Sequence, residues 1–81
     1  MRVPRDVSGK ELIKRLEIFG YSATRQSGSH VRVTTQERGE HHVTVPMHDE
    51  LRIGTINSII SDVSGHFSLL KSELILKLFG C

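Results

Sequence analysis

The chain is poor in the residues that make several common functions possible. It has 81 residues, with no tryptophan, one tyrosine, two prolines and one cysteine. The lone Cys81 stands at the end of the sequence, cannot close an internal disulfide, and is expected to be a free thiol in a reducing compartment. No run of 18 apolar residues occurs, so no membrane-spanning helix is expected. The opening Met1-Arg2-Val3-Pro4-Arg5-Asp6 lacks the apolar stretch of a signal peptide, so export is not expected and a cytoplasmic location is. There is no glycine-rich phosphate loop, no Ser-His-Asp arrangement and no cofactor motif, so no cofactor is expected. Only one aromatic, Tyr21, falls in a strand pattern, and it should face the core. A base-stacking platform for single strands is therefore not expected.

What is present describes a small globular chain. At 37% hydrophobic and 25% charged residues, 81 residues suffice for one domain, 1–81, with one modest core. The formal net charge is +2, which permits a polyanionic partner without requiring one. The eleven Lys and Arg residues are spread along the chain, as on an ordinary soluble surface. Five histidines are many for this length.

Ser8-Gly9-Lys10-Glu11 has the form of a capping box, with Val7 and Leu12 at the positions of a hydrophobic staple. Leu12, Ile13, Leu16 and Phe19 follow at helical spacing, and Gly20 can stop the helix in the left-handed conformation, which predicts a helix over 9–19. Lys10, Lys14 and Arg15 lie off its apolar stripe. Tyr21 to Gln26 and His30 to Thr35 read as two strands of a hairpin, joined by a three-residue loop Ser27-Gly28-Ser29 with Gly28 as the turn residue. That register sets Gln26 opposite His30, Thr24 opposite Arg32 and Ala23 opposite Val33. One face would then carry Ser22, Thr24, Gln26, His30, Arg32 and Thr34. The other would carry Tyr21, Ala23, Val31 and Val33, with Arg25 at its edge.

Gln36 to Glu40 is a charged turn. A third strand over 42–47 points Val43, Val45 and Met47 inward and adds His42 and Thr44 to the polar face, with Pro46 marking an edge. A second helix starts near 52–55, buries Ile53, Ile56, Ile59, Ile60 and Val63, and ends at Ser64-Gly65. A third, from about Ser68 to Phe79, has Leu69, Leu70, Leu74, Ile75 and Leu78 on its apolar side, for the domain itself or for a partner. The expectation is an α+β fold: an α-β-β-β-α core over about 8–63, with helices on one face of a three-stranded antiparallel sheet, plus a C-terminal helical extension over about 66–80. That order is the order of a double-stranded-RNA-binding fold, an analogy of fold and not of function.

On the polar face His30 is the candidate for chemistry. A histidine there is ordinary surface unless something is bound beside it. Read functionally, it is an acid or base. A 2′-hydroxyl that loses a proton can attack the adjacent phosphorus, the leaving 5′-oxygen must gain one, and the phosphate charge needs cationic or hydrogen-bonding neighbours. Arg25, Ser29, Arg32 and Thr44 are candidates to bind phosphate by position. His41, His42 and His48 raise a metal site, but adjacent strand residues point to opposite faces and no further Cys or Asp spacing completes a ligand set, so none is expected. His48, at a Pro-x-His strand exit, can hold its loop. Asp49 and Glu50 read as solvated.

These residues together resemble a known family. Ser8 to Leu16 with Phe19-Gly20-Tyr21 is similar to the opening helix of HicA-type mRNA interferase toxins. Arg25-Gln26-Ser27-Gly28-Ser29-His30 matches that family's Gly-Ser-His turn. Val43 to His48, Glu50-Leu51, Gly54-Thr55-Ile56 and Ile59-Ile60 match its third strand and second helix. The resemblance covers about 8–63. It implies a double-stranded-RNA-binding-like fold, metal-independent and translation-independent cleavage of mRNA, His30 as the catalytic histidine, and a toxin–antitoxin locus. It also implies a HicB-type antitoxin covering the active face, with no DNA binding by this chain alone. The chain departs from the family in having Ile53 where a proline often precedes Gly-Thr, few aromatics after His30, and a segment continuing through Leu69 to Phe79. A non-catalytic RNA-binding module of the same fold and a protein-interaction domain are the alternatives. The first predicts salt-sensitive RNA retention without cleavage, the second a stable complex without RNA affinity.

Overall fold

The computed structural model describes residues 4–80, so the Cys81 thiol and the Met1 to Val3 lead-in lie outside the described residues. Ser8 caps the first helix, α1 (Gly9–Leu16), by accepting the Glu11 amide at 3.0 Å. Only this half of the expected box forms. The Glu11 carboxylate instead meets Arg15 one turn on, at 3.3 Å. Val7 and Leu12 are both buried, as a staple requires. The last turn tightens to a 3₁₀ segment, Glu17–Phe19, and Gly20 stops it at φ 84°.

Three strands follow, β1 (Ser22–Ser27), β2 (His30–Thr35) and β3 (His41–Pro46), antiparallel in the order β1-β2-β3. Pro46 therefore lies on an edge strand, as expected. Ala23 pairs with Val33, also as expected, but the tip of the hairpin does not. Ser27 pairs with His30, Gln26 with Val31 and Arg25 with Arg32, so the loop has two residues, Gly28 and Ser29. Positive φ falls on Gly28 alone (59°), at the first central position, where the twist of a two-residue loop suits the strands. The residue saved in the loop reappears as a bulge at Thr24. The bulge inverts the facing of everything beyond it. Gln26 leaves the polar face, and Arg25, expected at the edge of the apolar one, joins His30 and Arg32 on the open side.

The helices cover the opposite face. Leu12 and Leu16 of α1 pack with Tyr21, Val31, Val33, Val43 and Val45. Gly9 lies so close to β3 that an added Cβ would run into the Pro46 carbonyl, and its amide donates to the His48 carbonyl at 3.0 Å. That carbonyl holds the loop, while the His48 imidazole is exposed. Asp49 and Glu50 are exposed too. Helix α2 (Ile53–Phe67) buries Ile56, Ile59, Ile60 and Val63, but Ile53 at its first position is 39% exposed.

Helix α2 does not end at Ser64-Gly65. The Ser64 hydroxyl donates to the Ser61 carbonyl at 3.0 Å, and the helix runs one more turn to bury Phe67 against Phe19, ring centroids 4.9 Å apart. It stops at Ser68, left-handed at φ 56°, with the Ser68 amide on the Gly65 carbonyl and the Leu69 amide on the Ser64 carbonyl, a Schellman motif. The third helix, α3 (Lys71–Phe79), thus starts later than Ser68. Leu70 is its N-cap and is 68% exposed, with the Glu73 carboxylate accepting its amide. Leu74, Ile75 and Leu78 are buried in this chain's own core, and Arg15 donates to the Leu78 carbonyl at 3.3 Å. The architecture is α+β, helices on one face of a three-stranded antiparallel sheet, consistent with a double-stranded-RNA-binding-like arrangement. No described helix is long and apolar enough to cross a membrane.

Candidate active site

The open face of the sheet begins at the hairpin mouth. The turn is held at two points. The Ser29 carbonyl accepts the Met47 amide at 2.6 Å, which ties it to the end of β3, and the Gln26 side chain donates to the Gly28 carbonyl at 3.2 Å. His30 is the first residue of β2, opposite Ser27 on one side and Pro46 on the other. Its imidazole is exposed and has no hydrogen-bond partner among the described residues, which leaves both ring nitrogens open to a ligand.

The next row along the face is Arg25, Arg32 and Thr44, directly opposite one another across the three strands. Arg25, Ser27, His30, Arg32 and Thr44 line a shallow cleft of about 250 Å³. Four of the five residues expected at the site from sequence are brought together here. Ser29 is not among the lining residues; it belongs to the two-residue turn, and Ser27, paired with His30 in the ladder, stands in the cleft in its place. Ser27 was missed because a three-residue loop would have put it in the connection. Among the described residues the two arginines have no carboxylate partner; the carboxylates that meet a basic side chain there are in Arg15–Glu11, His41–Asp62 and His42–Glu40. Two facing guanidiniums repel, a local cost that an anion between them would remove.

Beyond Arg32 a hydrogen-bonded chain crosses all three strands. Thr24 and Thr34 share a hydroxyl contact at 2.8 Å, Thr34 Oγ1 meets His42 Nδ1 at 2.8 Å, and His42 Nε2 meets Glu40 Oε2 at 2.7 Å. With Nε2–H donating to the carboxylate, Nδ1 accepts from the Thr34 hydroxyl.

His41 points the other way, as alternation on a strand requires. Its Nε2–H donates to Asp62 at 3.1 Å, its Nδ1 accepts the Tyr21 hydroxyl at 2.7 Å, and its ring stacks on His66 with centroids 4.4 Å apart. Burial, and secondarily the charge of Asp62, push the Tyr21 phenol up to about 12. His66 donates to the Glu37 and Gly39 carbonyls at 3.0 and 3.1 Å, which pins the 36–40 turn to α2. Thr35, also buried, donates to the Phe19 carbonyl at 2.7 Å and so fixes the end of β2 to the end of the 3₁₀ segment. These imidazoles serve the fold, and His41 and His42 cannot share an ion. Among the described residues, no three His, Cys, Asp or Glu side chains converge as a metal-binding group.

Residues 9–64, more than half of the chain, fit the model of a family described as HicA toxin of bacterial toxin-antitoxin, a span that ends inside α2 and leaves α3 outside it. No curated protein and no solved structure matches the chain.

Proposed function

This chain belongs to the HicA toxin family of bacterial toxin–antitoxin pairs, and from that membership we propose that it is an endoribonuclease that cuts mRNA without a metal, with His30 as its catalytic residue. The observation that carries the reading is an imidazole held on regular backbone by a pinned turn, one row from two arginines, with no hydrogen-bond or carboxylate partner for any of the three side chains among the described residues. A phosphodiester seated between Arg25 and Arg32 has its charge met by both guanidiniums, and the Thr44 and Ser27 hydroxyls can donate to its oxygens. The 2′-hydroxyl attacks phosphorus, the P–O5′ bond breaks, and the products carry a 2′,3′-cyclic phosphate and a 5′-hydroxyl. His30 moves one of the two protons, either taking that of the 2′-hydroxyl or supplying that of the leaving oxygen.

A HicB-type antitoxin would silence such a site by covering this face. A cytoplasmic location follows from an mRNA target. The test is cleavage of RNA in excess EDTA by the wild type beside His30→Ala, with the ends of the products identified. The expected result is a loss of about 10²–10⁴-fold in the variant. Native-rate cleavage by a folded His30→Ala protein would overturn the assignment. Retention of RNA without cleavage by the wild type would turn the reading to a non-catalytic RNA-binding module.

A further inference from the structure

The Thr24–Thr34–His42–Glu40 chain is not used by the chemistry above, yet it lies on the same face. His42 and Thr34 form the row next to Arg32 and Thr44. Two residues along a strand is about 7 Å, so the His42 row stands about 7 Å from the arginines. That is too far for His42 to reach the phosphate at Arg25 and Arg32, and near enough for the nucleotide attached to it. The carboxylate at the end of the chain repels phosphate, so the row is unsuited to the backbone. It suits a group that donates hydrogen bonds.

We propose that Glu40, held by His42, is a nucleobase subsite that accepts a hydrogen bond from the amino group of a base next to the scissile phosphate. This rests on the reading of the open face as the RNA-binding side. Three features support it. Glu40 is 60% exposed at its side chain and uses one oxygen on His42, which leaves the other for a ligand. His42 is itself fixed through Thr34 and Thr24, so the carboxylate is held in place before anything binds. And a carboxylate accepts from exocyclic amino groups such as N4 of cytosine. Adenine, cytosine and guanine all present one. Uracil presents only N3–H, flanked by two carbonyl oxygens that the carboxylate repels.

Two measurements test this together. The first maps cut sites on one mixed-sequence RNA for the wild type, Glu40→Ala and Glu40→Gln. The second measures binding of His30→Ala, with and without Glu40→Ala, to oligoadenylate, oligocytidylate and oligouridylate of equal length, each variant checked for native circular dichroism. The expected result is a preference of about tenfold against uracil at one position beside the cut and in binding, lost in Glu40→Ala and reduced in Glu40→Gln. Cut sites and binding preferences that are the same with and without Glu40 would overturn the subsite and leave the nuclease standing. If no protein cleaves, the nuclease reading falls and binding alone decides. A Glu40-dependent preference then supports the subsite, and equal or absent binding of the three oligomers overturns it.

Discussion

Replacing Arg25 by glutamine should make the fold more stable and its grip on a polyanion weaker. The two arginines are cross-strand partners, and neither has a carboxylate partner among the described residues. Their heads can splay to about 7 Å, where two unit charges in water repel by about 0.6 kcal/mol. Physiological salt reduces that to roughly half. Arg25 is on an exposed strand, so the substitution removes no core contact. For a domain of this size the gain corresponds to about 1–5 °C in Tm, and it should shrink further in 1 M salt.

Binding should move the other way. Measured in a His30→Ala background so that the RNA survives, affinity should fall. The slope of log K against log salt should flatten by about 0.7 for the one lost phosphate contact. Thermal melts at low and high salt, with fluorescence anisotropy on a labelled oligoribonucleotide, give both quantities. A variant that melts lower than its parent would show that Arg25 is not under repulsion. An unchanged salt slope would show that it does not touch phosphate. Either result would refute the argument that the facing pair is an anion site held at a cost in stability.

Other perturbations read the structure elsewhere. The Tyr21 phenol is raised from 10 to about 12 in the folded chain, so between these values the unfolded state has lost a proton that the native state keeps. The stability this lends is complete below pH 10 and is lost as pH rises through about 12, and urea melts across that window should show it. Tyr21→Phe should remove that phase of the decline and cost about 1 kcal/mol at neutral pH, since His41 Nδ1 loses its donor. Gly9→Ala should destabilise by about 1–3 kcal/mol despite the better helix propensity of alanine, because the new Cβ meets backbone at Pro46; a rise in Tm would contradict that packing.

The fold joins two kinds of histidine on one strand. His41 is spent on structure, joining buried Tyr21 to the more exposed Asp62 and His66 and so anchoring α2 to the sheet. His42, one residue on, is presented to the open face opposite Thr34, and His30 lies on that same face at the other end of β2. An imidazole's role here follows from which side of the sheet it is on.

Much of this was legible in the order of residues. Leu12 and Leu16, Val31 and Val33, Val43 and Val45, and Ile56, Ile59 and Ile60 repeat at the periods of helix and strand, and burial needs little more than that repeat; Ile53, at the N-terminal end of the same pattern, is left exposed. Ser8, Gly20 and Gly28 act through their own backbone or side chain, so their places could be read locally. His30 was found the same way, as the residue after a turn glycine. Tertiary structure alone decided the rest. A strand pattern says which residues alternate, but a one-residue slip is settled by pairing between two segments, and the bulge at Thr24 is such a slip. It moved Arg25 into the cleft, put Ser27 there and took Gln26 away. Ser68 ends α2 without a glycine because its neighbours' carbonyls are in reach and Phe67 is drawn into the core. The contact of Gly9 with Pro46 and the chain from Thr24 to Glu40 join residues far apart in sequence, and such contacts exist only once the sheet has set the distances between them.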